Sequence, residues 1–173
     1  AFEATNSGIQ IGVSDLAAVL VQRIVDVADK LRAKTVISPE CGHAYMAIRW
    51  DGPNLVGKKF DFRVRHILEV LDELREQGNL MVSSTEARQI TYHDPCHTGR
   101  HLNKFKVDKD GSELWEGAYI DVDESECLYD KPREILQAIP GIKFVEMDRI
   151  RANSYCCGGG GGVMTGFGDW ATK

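Results

Sequence analysis

Residues 88–101 read RQITYHDPCHTGRH. The first five, RQITY, are the β-branched and aromatic kind of run that forms a short strand. That strand passes straight into a cluster of Pro95, Cys96 and His97. A second place in the chain is built the same way. KTVIS (34–38) is continuously apolar at its centre, as a strand buried on both faces would be, and it leads into Pro39, Cys41 and His43. ISPECGH (37–43) and YHDPCH (92–97) thus each set an acidic residue, a proline, a cysteine and a histidine just past a strand end, a short internal similarity.

Working outward, helices separate these strands. Ser14 reads as an N-cap, followed by Leu16, Leu20, Ile24, Val27 and Leu31 on one face of a long amphipathic helix. DGPNLVGKK (51–59) reads as a polar link. HILEVLDELREQG (66–78) is a second helix with an apolar stripe of Ile67, Val70, Leu71 and Leu74, stopped at Gly78. Residues 103–131 are polar and acidic, with DVDESE at 121–126, and are expected to form a surface excursion. Pro132 reads as the first helical residue of PREILQAI, which Pro140 and Gly141 close. IKFVEM (142–147) supplies a further strand, and the pattern after Val163 defines no element. Short apolar strands alternating with helices predict an α/β fold, a mainly parallel sheet flanked by helices in Rossmann-like halves. In such sheets ligands sit beyond the carboxyl ends of the strands, and all three cysteine-bearing loops fall there.

The chain has 173 residues, enough for one domain or two packed half-domains. Lys and Arg total 21 against 26 Asp and Glu, a formal charge of -5 with no dense basic block, so nucleic acid is not an expected partner. The longest apolar run, Leu16 to Val21, is far too short to span a bilayer, and no basic-then-apolar leader opens the sequence. A soluble chain in the cytoplasm is expected. It begins without Met and stops soon after a glycine run, and is therefore expected to be a fragment of a larger protein.

Five cysteines, an odd number, favour thiolate chemistry over a disulfide framework. The telling stretch is SYCCGGGGG (154–162). Two adjacent cysteines serve a single tetrahedral ion poorly because successive side chains diverge, whereas a polynuclear cluster lets neighbouring thiolates bind different irons. Gly158, Gly159, Gly160, Gly161 and Gly162 would permit positive φ and close approach, and their N–H groups form a nest for sulfur. Cys127 reads instead as a small core hydrophobe, His66 as a packing residue at a helix start and His101 as a solvated surface residue.

YHDPCHTGRH (92–101), KPREILQAIPG (131–141) and CCGGGGG (156–162) together resemble the CCG-type cysteine-rich domain of heterodisulfide reductase catalytic subunits. This domain recurs in glycolate oxidase iron-sulfur subunits and in DsrK-like subunits of sulfur metabolism. SPECGHAY (38–45) resembles the HdrD- and DsrK-like branch in particular. The family pattern is a first cysteine, an adjacent pair with glycines and a distal Cys-x-x-Cys, often present twice, and it binds a noncubane [4Fe-4S] cluster. The resemblance implies that Cys96 is the first ligand, that Cys156 and Cys157 are the pair, and that Cys41 stands where the preceding repeat ends its Cys-x-x-Cys, although Ala44 replaces the second cysteine there. It also implies the division of the chain: residues 1–87 as the end of a degenerate first repeat, and 88–173 as a second repeat with an insertion at about 103–131 and no distal Cys-x-x-Cys.

The function so implied is an electron-transferring oxidoreductase subunit that reduces or forms a disulfide or sulfur-carrier trisulfide. It would work with other redox subunits, among them a membrane cytochrome that would hold it at the inner face of the membrane. His43 and His97 flank Cys41 and Cys96, placed either to protonate a leaving thiolate or to hydrogen-bond a ligand sulfur. Two other readings stay open. One is a zinc-stabilised binding module without redox activity, closed by Cys96, Cys156 and Cys157 with His93 or His97; the other is a metal-free glycine loop for an anion or nucleotide.

Overall fold

The computed structural model describes residues 9, 12–82, 87–100, 127–160 and 162–171. Helix α1 spans Ser14–Leu31 and buries Ala17, Val21, Ile24, Val25 and Ala28. The buried stripe is therefore rotated from the expected one: Leu16 and Val27 are exposed and Leu31 is 70% exposed. Alanines at 17 and 28 explain the rotation, since small side chains let the helix lie close against the core. Ser14 is the first helical residue; the cap position is Val13, with no side-chain cap bond. At the other end Arg32 takes a left-handed turn at φ 49, and Ala33 N–H reaches back to Ala28 O at 2.9 Å. That six-residue closure satisfies the orphan carbonyls of the last turn.

Strand β1 (Thr35–Ser38) pairs in parallel with β2 (Arg63–His66), in the register Thr35 to Arg63 through Ser38 to His66. The crossover between them is helical: α2 (Gly42–Met46), one π-helical turn (Ala47–Asp51) and α3 (Gly52–Val56). Much of the stretch read as a polar link is thus helix, with Pro53 in the first turn of α3 and Gly57, at φ 70, ending it. Strand β2 escapes a composition reading because three of its four residues are basic types; Val64 and His66 alternate inward while Arg63 points out. β1 is not buried on both faces either, since Ile37 is 44% exposed. The core packs Val21, Ile24, Val25 and Ala28 of α1 against Tyr45, Met46, Ile48, Trp50, Phe62, Val64 and Leu128.

Helix α4 (Ile67–Glu76) opens on a capping box in which Glu69 Oε2 accepts the His66 N–H at 2.6 Å. Its expected stripe is only half-buried; the one buried residue of α4 is Asp72. Asp72 Oδ1 accepts from Arg75 at 2.8 and 3.0 Å, and Oδ2 accepts from Lys131 Nζ at 3.3 Å. This carboxylate therefore joins α4 to the next helix, a buried charge kept because it is paired.

The second strand pair repeats the scheme. β3 (Arg88–Ile90) runs parallel to β4 (Ile142–Phe144), in the register Arg88 to Ile142. Helix α5 (Asp130–Gln137) precedes β4, with Pro132 its third residue rather than its first, and Gly141 takes φ 83 in the turn that follows. Arg151–Asn153 form one 3-10 turn, followed by α6 (Val163–Gly166) and α7 (Gly168–Ala171). The fold is thus mixed α/β, with two separate two-stranded parallel sheets among the described residues. Most of the expected excursion lies outside those residues, as does His101; its end is core, for Leu128 is buried and Cys127 packs against the same cluster. Among the described residues no helix is long and apolar enough to cross a membrane.

Candidate metal centre

Both first strands open at their carboxyl ends into the cysteine loops, and these loops meet. A Cβ built on Gly42 would lie 2.8 Å from Thr98 Cγ2 and 3.2 Å from His97 Cβ, so only glycine lets the start of α2 touch the 96–99 turn. Beside that contact His43 and His97 stack, ring centroids 3.4 Å apart and planes 28° from parallel. The other approach to His43 is taken by Gly160, where a Cβ would sit 3.3 Å from His43 Cε1 and 3.9 Å from Cys157 Sγ. Three segments distant in sequence therefore converge around one histidine pair.

The sulfurs feel one another. Burial pushes the Cys96 thiol up from its ordinary pKa, and the nearby Cys156 and Cys157 push it further. Cys96 Sγ and His97 Nδ1 are 3.1 Å apart. Cys157 moves the opposite way: the N–H groups of Gly159 and Gly160 donate to its sulfur and hold the thiol below its ordinary value. Gly158 N–H donates to Cys156 Sγ at 3.4 Å. Three successive glycine amides thus point at the adjacent pair. Positive φ falls at Gly158 (71) and Gly162 (80), whereas a Cβ at Gly159 would press on Met164 Cε and one at Gly160 on His43 Cε1, each at 3.3 Å; Gly161 lies outside the described residues.

Cys41 is exposed at the cap position of α2 and lines a cavity of about 390 Å³ together with Ile24, Ile37, Glu40, Ile48 and Val64. Cys127 is half-buried on the core, and His93 is exposed. His66 is buried at the start of α4, where Nδ1 accepts the Leu68 N–H at 3.3 Å and Nε2 donates to Glu40 O at 3.4 Å. It braces the Cys41 loop from beneath, and burial lowers its pKa.

Reading the sequence alone passes over the frame of the site. Asp94, 1% exposed, is clasped by Arg133, 4% exposed, through two bonds of 2.7 Å. Burial works to raise the Asp94 carboxyl, but the Arg133 guanidinium and the Arg151 N–H, donating at 2.6 Å, hold it below the ordinary range. Arg133 also donates to Glu146 Oε1 and Tyr129 O, each at 2.6 Å. Ser154 Oγ donates to Asp94 O at 3.1 Å, and Arg100 donates to Ala152 O at 3.0 Å and to Ser154 O. The acidic residue before Pro95 was visible in the motif, but Arg133 is one more charge on an amphipathic helix and gave no signal.

A cysteine-rich centre of this make-up, set on loops beyond parallel strands, defines a class: a cysteine-rich domain. Residues 90–169 match the cysteine-rich domain family CCG. Across its length the chain is similar to a subunit of the dihydromethanophenazine:CoB–CoM heterodisulfide reductase of Methanosarcina mazei, 35% identical over 94% of this chain and 34% of that protein. It is also similar to an uncharacterized iron-sulfur protein of Methanocaldococcus jannaschii, at 30% over 92% of the chain and 25% of that protein. An EtfAB:quinone oxidoreductase of Syntrophomonas wolfei matches at 28% over 92% of the chain and 18% of that protein. The chain spans about a third or less of the length of these relatives. No solved structure matches it.

Proposed function

We propose that this chain is part of an iron-sulfur electron-transfer oxidoreductase subunit that reduces, or in reverse forms, a disulfide or sulfur-carrier trisulfide at a noncubane [4Fe-4S] cluster. The observation that carries the reading is the meeting of Cys96 with Cys156 and Cys157 under the amides of Gly158, Gly159 and Gly160. An all-thiolate donor set suits iron-sulfur clusters. The close approach at Gly160, where a Cβ would crowd His43, lets the loop that carries Cys157 close on the histidine stack. Cys96, Cys156 and Cys157 would hold the cluster, with Cys41 a further donor from the facing loop.

When bound, such a cluster would relay, one at a time, the two electrons that cleavage of an S–S bond consumes, delivered by a partner redox subunit. Cleavage also takes up two protons and releases two thiols. His97, with Nδ1 3.1 Å from Cys96 Sγ, and His43, stacked on it, are the groups that would hand over those protons. The glycine amides favour thiolate at the pair, keeping the sulfurs ready to bind metal. The names of the relatives, a heterodisulfide reductase subunit and a quinone oxidoreductase, support work alongside other redox subunits; a membrane cytochrome among these partners would hold the protein at the inner face of the membrane. Twice among the described residues a strand, a loop with proline and cysteine, a helix and a parallel strand follow in order, which supports 1–87 as the C-terminal part of a degenerate first repeat and 88–173 as a truncated second repeat.

A rival is favoured by one contact. His97 beside Cys96 completes a Cys3His set that zinc would accept in a structural module. Metal analysis of the full-length protein, purified without oxygen, separates the two: iron with acid-labile sulfide supports the cluster, and zinc alone refutes it. Cys156→Ser and Cys157→Ser should each abolish the paramagnetic signal of the oxidised, thiol-bound cluster. A mononuclear site predicts that one of the two is dispensable.

A further inference from the structure

The two halves of the thiolate site come from loops 60 residues apart in sequence, and something must hold them at a set separation. The polar ties of the 151–154 turn that lead to the Cys96 loop converge on Asp94 and Arg100. Asp94 Oδ2 accepts the Arg151 N–H at 2.6 Å, and its backbone oxygen accepts the Ser154 hydroxyl at 3.1 Å. Arg151 is a non-glycine residue at φ 56, a left-handed conformation that needs an external hold. The carboxylate is itself fixed by the Arg133 fork, which Glu146 and the Tyr129 carbonyl keep in plane. Asp94 lies two residues before Cys96, and Ser154 two before Cys156.

We infer that Asp94, locked by Arg133, is the positioning residue of the metal centre: it sets the distance between Cys96 and the Cys156–Cys157 pair by holding Arg151 in its left-handed turn. It is assigned no contact with the metal and acts through the two loops. A neutral amide at this position would keep the shape but lose the doubly hydrogen-bonded ion pair. The turn at Arg151 would then relax, and Cys156 and Cys157 would drift from Cys96. A lysine at 133 would keep the charge and lose the fork, with the same result in weaker form.

The inference rests on the cluster reading only for its metal readout, so two measurements are paired. In the full-length protein made without oxygen, iron loss to a chelator is timed for wild type, Asp94→Asn, Arg133→Lys and the control Asp72→Asn, which neutralises a comparably buried carboxylate bonded to Arg75 and Lys131 rather than to a cysteine loop. Asp94→Asn should release iron about 10–100-fold faster than wild type, the usual effect of removing a group that orients ligands, with Arg133→Lys between them and Asp72→Asn near wild type. Equal loss from Asp94→Asn and Asp72→Asn would reduce the effect to lost stability and overturn the inference. The second measurement is hydrogen exchange at the Arg151 amide in metal-free protein, which should quicken about tenfold or more in Asp94→Asn, less in Arg133→Lys and not in Asp72→Asn. An unchanged exchange rate overturns the inference whatever the metal content. A wild type without iron overturns the cluster reading, and the exchange rate then decides the inference alone.

Discussion

Replacing Gly42 by alanine tests whether the meeting of the two cysteine loops is the structural requirement of the site. Local propensity predicts stabilisation, because alanine is better than glycine inside a helix by up to about 1 kcal/mol, and Gly42 is the first residue of α2. The tertiary contact predicts the opposite. The new Cβ would sit 2.8 Å from Thr98 Cγ2 and 3.2 Å from the Thr98 amide nitrogen. Carbon atoms pack best at about 3.5–4.0 Å, so the loops must part by roughly 0.7 Å. Thr98 cannot step aside, being 2% exposed and stiff at χ1. Overpacking costs about 1–3 kcal/mol, and a contact under 3 Å against a buried side chain belongs at the upper end, about 2–3 kcal/mol; less about 1 kcal/mol of helix propensity, the net loss is about 1–2 kcal/mol. For a chain of this size each 1 kcal/mol lowers the melting temperature by about 2–4 °C, giving a fall of about 2–8 °C. The assay is thermal unfolding of the metal-free protein by circular dichroism, with Gly166→Ala as control, since a Cβ there meets nothing within 4 Å. A Gly42→Ala variant melting at or above wild type would refute the reasoning.

Among the glycines of the run, Gly160→Ala should disturb the site more than Gly159→Ala. The first presses on His43, which is backed by His97, and the second only on the flexible end of Met164; alkylation of Cys157 should need a higher pH in Gly160→Ala and not in Gly159→Ala. Acidification should weaken the fold through His66. Its folded pKa is depressed by burial, so its contribution is complete above the ordinary value of 6.5 and is lost as the pH falls below it, because the unfolded chain takes the proton first. Urea unfolding at pH 5 and pH 7.5 should show this loss, and it should shrink in His66→Asn. Cys127→Ser should keep the metal content of wild type at a cost of about 1 kcal/mol from a partly buried packing position; loss of most bound metal would make Cys127 a ligand.

What can be read directly from the residues is local. Strands that end in Pro-Cys-His, a helix closed by Gly78 and a cysteine pair followed by glycines are each written within a dozen residues, because φ preferences, side-chain periodicity and thiolate chemistry act over that range. The family resemblance adds which cysteines belong together, and the structure brings Cys96 near Cys156 and Cys157. The rest depends on groups far apart in the chain. The buried stripe of α1 turned because alanines, not leucines, let it approach the core. Strand β2 exists because RVRH has β1 to pair with, a partner its basic composition does not announce. The stack of His43 on His97, and the clasp of Arg133 on Asp94 across 39 positions, are invisible to any window. A buried ion pair forms where two backbones deliver opposite charges to one dry place, and only the assembled fold specifies that place.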